Sequence, residues 1–113
     1  MDWKLVDQMI EIFNNNKFDI VTNVLQRFYP KGQSVEILNS KLFRKKSSTL
    51  KKIEREHVTK FYYNNHSKYK IYNKTFPKNL SKINLSIDTN LDLRNIKRKI
   101  KVQGYQKNWK NYI

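Results

Sequence analysis

Residues 85–92 read LSIDTNLD, and the interpretation of this stretch decides the fold. Leu85 and Ile87 alternate with polar neighbours as a half-buried strand does, and Thr89 with Asp92 three residues on has the spacing that caps a helix at its positive end. This predicts a strand over 83–87 that delivers Asp88 at its carboxyl tip, with a helix following at once. In open α/β sheets ligands bind at that edge, where strand tips and helix amino termini open onto one crevice. A carboxylate placed there can hold a hard cation such as Mg²⁺ against phosphate oxygens. The plainer alternative is that Asp88 only caps the helix or ends the strand.

Downstream of this stretch, Leu91, Leu93, Ile96 and Ile100 give the helix an apolar side, Arg94, Lys97, Arg98 and Lys99 surround it, and Gly104 breaks it. Residues 102–113 form an aromatic-basic tail with Trp109 and Tyr112 that the pattern does not place. Upstream, Asp2 can cap a first helix in which Val6, Met9, Ile10 and Phe13 recur at helical spacing until Asn14, Asn15 and Asn16 end it. Residues 18–24, with Ile20, Val21 and Val24, predict a buried strand. The following connection, 25–33, contains Pro30, which fixes one backbone dihedral, and Gly32, which permits positive φ, so it is a shaped loop.

Residues 34–38 predict a second short strand that turns Glu36 away from Val35 and Ile37. A brief helix starts at Asn39 or Ser40, and 44–52 is basic and serine-rich. Residues 53–65 predict a further helix with Val58, Phe61 and Tyr62 on one stripe and Glu54, Arg55, Glu56 and His57 at its start, and 69–72 alternates like a strand. Helices alternating with short strands imply a layered α/β fold. The chain opens on a helix start with no strand ahead of it, and this reads as the second part of something larger.

The 113 residues suffice for one domain. The absence of cysteine excludes disulfides and thiolate metal sites. No apolar run is long enough to span a membrane and no signal-peptide pattern is present, so the expectation is a soluble, cytoplasmic protein without a membrane partner. Lys and Arg number 24 against 9 Asp and Glu, a net charge of +15, which invites a nucleic-acid reading. The cations are spread along the chain without a recognition motif. Abundant Lys, Asn, Ile, Tyr and Phe beside only 2 Gly and 2 Pro also match an A- and T-rich coding bias, so nucleic-acid binding is expected to be non-specific.

Three polar groups stand out as chemistry: Tyr29, Lys31 and Gly32 of the loop with Glu36; Arg55, Glu56 and His57 at the helix start; and Asp88. His57 could act as a general base, although a lone His with no recognisable Ser or Cys partner is more commonly a hydrogen-bonded structural residue.

Taken in order, NKFDIVTNVLQRFYPKGQSVEIL, EREHVTKFYYNN and LSIDTNLDLRNIKRKI resemble the carboxyl-terminal portion of the spore coat polysaccharide biosynthesis protein F family, which is related to acylneuraminate and KDO cytidylyltransferases. The resemblance extends from Met1 to about Ile100, with 1–101 as the cytidylyltransferase-like portion and 102–113 as the tail. It implies an α/β fold, the carboxyl-terminal half of a nucleotide-diphospho-sugar transferase (Rossmann-like) three-layer sandwich. It implies nucleotidyl transfer, in which a sugar-acid hydroxyl attacks the α-phosphate of CTP and pyrophosphate leaves, with Mg²⁺ as cofactor.

By the same resemblance Asp88 matches a metal-binding aspartate, Tyr29, Lys31, Gly32 and Glu36 a sugar-side loop, and Arg55, Glu56 and His57 a substrate-positioning helix start. The family's amino-terminal Gly- and Arg-containing loop, with its triphosphate-gripping Lys, has no counterpart here. The expectation is therefore a truncated or split enzyme with little activity alone, completed by a partner chain or a homodimer. The alternatives are a basic nucleic-acid-binding module or a non-functional gene remnant.

Overall fold

The computed structural model describes residues 2–53, 57–104 and 108–112. Helix α1 spans Trp3–Asn15, and its start is set by Asp2, whose Oδ1 accepts from the Lys4 N–H at 3.0 Å. Its inward stripe is Leu5 and Met9, both buried, with Ile12 and Phe13 half-buried beside them. Of the predicted face, Val6, Met9 and Phe13 pack in or against the core, and Ile10 does not. A period of 3.6 starting from Leu5 leads to Met9 and then to Ile12 and Phe13, which leaves Ile10 at the edge, 40% exposed.

Three strands follow: β1 (Ile20–Thr22), β2 (Glu36–Leu38) and β3 (Ile71–Asn73). They form a mixed sheet in the order β2-β1-β3. β1 and β2 are antiparallel with Thr22 opposite Glu36, while β1 and β3 are parallel with Thr22 opposite Asn73. All three residues of β1 are 0% exposed, as a central strand covered on both faces must be. Val21 points into the cluster of Leu5, Met9, Tyr29, Val35 and Trp109, and Ile37 and Phe18 pack at its margin. Strand alternation sends Ile20 and Thr22 to the other face. Burial of such side chains supplies roughly 1.5–3 kcal/mol each, so this narrow seam between α1 and the sheet dominates stability.

Helix α2 (Ser40–Ser47) is capped by Asn39, whose Oδ1 accepts from the N–H groups of Lys41 and Leu42. In the predicted helix 53–65, residues 54–56 lie outside the described ones, and α3 is Val58–Asn64 with His57 at its cap position. Its stripe holds: Tyr62 is fully buried, its ring edge-on to Tyr69 at 4.9 Å, and Val58 and Phe61 are half-buried.

Helix α4 (Asn90–Gln103) carries the expected capping box, with Thr89 accepting from the Asp92 N–H at 3.1 Å and Asp92 accepting from the Thr89 N–H at 3.2 Å. Gly104 ends it at φ 74°. Trp109 folds back into the core, its ring against Tyr29 and Phe76 and its Nε1 donating to Asp2 at 3.3 Å.

The predicted strand over 83–87 does not form. Only Asn84 pairs, in a single parallel bridge with Lys31. The side chain of Asn84 accounts for this, because its Oδ1 accepts from the Ser86 N–H at 2.9 Å and the Ser86 hydroxyl at 2.7 Å. A local side-chain turn of this kind competes with a strand ladder. Asp88 therefore follows a fastened loop and not an inner strand.

Candidate functional site

The connection after β1 is held at several points along its length. Asn23, buried, donates to the Gln33 carbonyl at 2.8 Å and accepts from the Val35 N–H at 2.9 Å, closing the loop's base. Asn73 at the end of β3 makes a matching pair of bonds to the backbone of Gln26, both 2.9 Å. The Leu80 N–H donates to the Phe28 carbonyl at 2.7 Å. At the tip, the Lys31 N–H donates to the Ile83 carbonyl at 2.9 Å and the Leu85 N–H to the Lys31 carbonyl at 2.7 Å. The last two bonds fasten residue 31 to residues 83–85.

Gly32 is required where the two segments meet. Its φ is 103°, and a Cβ would stand 2.8 Å from the Leu85 carbonyl carbon and 2.9 Å from the Ser86 nitrogen. Both the backbone sign and the space demand glycine. The consequence is that Lys31 and Asp88 project from fixed backbones toward one another: Lys31 Nζ lies 3.2 Å from Asp88 Oδ2, with side chains 53% and 62% exposed. The Ser86 hydroxyl is 3.3 Å from the same oxygen.

Asp92 stands beside this pair but is otherwise engaged. Its Oδ2 accepts from the N–H groups of Asp88 (3.0 Å) and Thr89, and its Oδ1 from Asn84 Nδ2 at 2.7 Å. The Asp88 N–H bond, foremost, holds the Asp92 carboxyl below its usual range, with the Thr89 bonds and the charge of Lys31 acting in the same direction. A divalent Mg²⁺ keeps several waters and needs only one or two protein carboxylates plus substrate phosphates. Asp88 fits as one such ligand. Asp92, saturated by cap bonds, does not, and among the described residues no group of three or more His, Cys, Asp or Glu gathers to make a closed metal cage.

The other predicted site residues lie in three further places. Tyr29 is 4% exposed within the aromatic cluster, and burial, foremost, then the nearby charge of Asp2 push its phenol pKa up. Glu36, exposed at the amino end of β2, meets Tyr63 of α3 at the carboxyl end of β1. A phenol has one proton and a carboxylate can only accept it, so Tyr63 donates to Glu36 and its oxygen, 2.8 Å from Thr22 Oγ1, takes the threonine's proton. Burial, and next the bond to Glu36, push the Tyr63 phenol far up. His57 lines an open hollow of about 250 Å³ with Ile53, Lys60, Phe61 and Asn64. Arg55 and Glu56 lie outside the described residues.

Thus Lys31, Gly32 and Asp88 come together, while Tyr29, Glu36 and His57 have other surroundings. Sequence reasoning missed Tyr63, which sits one position off the apolar stripe of α3 and carries no local signal. It also missed Asn84 and Ser86, whose alternation with Asp88 is a turn signal hidden in a strand-like run.

Neither protein-family models nor curated proteins give a match to this chain. Among solved structures, the chain is similar to a cytidylyltransferase from Leptospira borgpetersenii serovar Hardjo-bovis (strain JB197), at 30% identity with a TM-score of 0.83. The similarity covers 90% of this chain and 44% of that one. The fold is cytidylyltransferase-like. The chain spans less than half the length of that enzyme, and no helix among the described residues is long and apolar enough to cross a membrane.

Proposed function

We propose that this chain is one portion of a sugar cytidylyltransferase, the part that carries the late aspartate and the sugar-side loop of an incomplete nucleotide-diphospho-sugar transferase sandwich. The observation that carries this reading is the 0.83 TM-score at 30% identity over 90% of the chain. In it, a hydroxyl of a sugar acid attacks the α-phosphate of CTP and pyrophosphate leaves, in the service of surface-polysaccharide synthesis. The nucleotide-gripping loop comes from polypeptide beyond these 113 residues or from a partner.

In this scheme the carboxylate of Asp88 offers one oxygen ligand to Mg²⁺, whose charge, when bound, offsets that building on the phosphate oxygens. Lys31 brings a point charge suited to phosphate. Gly32 fixes both positions by letting residues 31–32 lie against residues 84–86. Glu36, held by Tyr63, presents a carboxylate that can accept from sugar hydroxyls. His57, with Arg55 and Glu56 beside it in sequence, positions substrate more than it transfers a proton.

The test is pyrophosphate release from CTP with a panel of 2-keto sugar acids. The chain alone should give no release above a buffer blank, and release should appear when it is co-expressed with the complementary portion of the Leptospira enzyme. Release by the isolated chain, abolished by Asp88→Ala, would show that it needs no completion. Silence from the folded, co-purified pair would remove the transferase reading.

A further inference from the structure

The contact between Lys31 and Asp88 joins an ammonium to the one carboxylate of this loop that the helix cap leaves available. The Lys31–Ile83 and Leu85–Lys31 bonds and the close approach at Gly32 fasten the Lys31 backbone to residues 83–86, two residues short of Asp88. The side chains of Lys31 and Asp88, by contrast, are more than half exposed and can move. The two neighbours of the Asp88 carboxylate, Lys31 Nζ and Ser86 Oγ, both fall on Oδ2. A cation that binds Asp88 through Oδ2 therefore meets a like charge 3.2 Å from its ligand atom. Exposed pairs of this kind hold weakly and are readily exchanged.

We infer that Lys31 is a built-in, displaceable counter-ion that occupies the cation position of Asp88 until phosphate arrives. This rests on the reading of Asp88 as a metal ligand. A divalent cation alone must evict the ammonium into water. A cation accompanied by phosphate evicts it toward a new partner, since a lysine ammonium binds phosphate as a point charge. Cation and nucleotide binding are then positively coupled, and by linkage each raises the affinity of the other. Lys31 thereby weakens metal binding at Asp88 in the absence of nucleotide.

The experiment uses the full chain and Mn²⁺ alone, with free Mn²⁺ followed by electron paramagnetic resonance at 0.1 M salt. Lys31→Gln should bind Mn²⁺ about two- to fivefold more tightly than the unaltered chain, the range expected for an exposed pair. Lys31→Gln combined with Asp88→Asn should show no gain. Lys17→Gln removes the same charge at an exposed position after α1 and should change nothing. An equal gain from Lys17→Gln would reduce the effect to net charge and overturn the inference. If Lys31→Gln binds no better than the unaltered chain while Asp88→Asn weakens binding, the counter-ion falls and the metal-ligand reading stands. If Asp88→Asn binds as well as the unaltered chain, or neither the unaltered chain nor Lys31→Gln binds Mn²⁺, both fall. Unchanged thermal midpoints across the series establish that each variant is folded, as exposed positions lead one to expect.

Discussion

Helix α1 with β1 and helix α4 are both well-signalled in sequence, yet they are held by different forces. In the first, Met9 and Val21 are 0% exposed in one cluster at the seam between helix and sheet. In the second no residue is buried, and Leu91, Leu93, Ile100 and Val102 are 63%, 36%, 38% and 78% exposed. The half-buried positions of α4 are Asp92, Asn95, Ile96 and Lys99, a mostly polar stripe. Its first turn is secured by the capping box and by Asn84 bonded to Asp92. Amphipathic spacing specifies that a segment is helical, but burial needs a surface to pack on. Local bonds at its start do most to hold α4, where packing holds α1.

The largest effect separating the two regions is expected from Met9→Ala. Truncating a fully buried side chain removes its transfer energy and leaves a cavity, at a cost of about 2–5 kcal/mol. Chemical denaturation should register this as a lower midpoint with little change of slope. A loss under about 1 kcal/mol would mean that the seam is not the dominant core.

Next comes Gly32→Ala, which acts at the junction between the packed region and the α4 side. The added methyl meets backbone atoms of Leu85 and Ser86 at 2.8–2.9 Å, and the residue must hold φ 103°. Strain of this kind costs on the order of 1–3 kcal/mol, and the clash is with backbone that cannot turn aside. Thermal unfolding measures the cost. A methyl accepted without loss would show that the loops are not locked together and that the approach of Lys31 to Asp88 is not fixed.

The sequence made some of this comparison readable and hid the rest, for identifiable reasons. Asp2, Thr89 with Asp92, and Gly104 mark helix ends through bonds between near neighbours, so their signals are local and held. Val21 and Ile37 declare strands by β-favouring neighbours, and Pro30 with Gly32 declares a shaped loop. The strand at 83–87 failed because Asn84 reads as one more polar residue in an alternating run, while its amide in fact organises a turn. Trp109 and Tyr63 were opaque for another reason: each is placed by residues far along the chain, Trp109 by Asp2 and Tyr29, Tyr63 by Thr22 and Glu36. The candidate site was legible to the same extent. Lys31, Gly32 and Asp88 could be nominated separately, but their meeting depends on the pairing of residue 31 with residue 84, which no local pattern announces.

A pH series divides the two regions by sign. The Tyr63 phenol is raised above its unfolded value of about 10, so the stability it contributes is complete below that pH and is lost as pH climbs toward the folded value. Tyr29 and Tyr62 are raised as well, chiefly by burial, and add to the same alkaline loss. One such proton gives a slope of at most about 1.4 kcal/mol per pH unit. Tyr63→Phe should flatten the decline above pH 10 without abolishing it. Asp92 runs oppositely: its lowered carboxyl pKa contributes stability above the unfolded value, lost as pH falls through the folded one. Acid should therefore fray α4, seen as falling helicity by circular dichroism, while the near-ultraviolet signal of the Tyr29 and Trp109 cluster persists. Simultaneous loss of both signals in acid would contradict the separation.

The smallest effect is the sharpest test of α4. Ile100 lies on the helix's apolar side yet is 38% exposed, and Leu93, seven residues earlier on the same side, is 36% exposed. Were the apolar side packed as in α1, Ile100→Ala would cost as much as a core truncation. Because the helix turns its polar stripe inward, the loss of hydrophobic contact is slight. Alanine's better helix propensity, a few tenths of a kcal/mol over isoleucine, works against even that. The net change should fall within about 0.5 kcal/mol of zero by thermal unfolding. The same substitution made in the presence of a completing portion supplies the contrast: a surface that packs on α4 would turn this neutral change into a costly one. That shift, from neutral to costly, would locate the contact on the face that the isolated chain leaves in water.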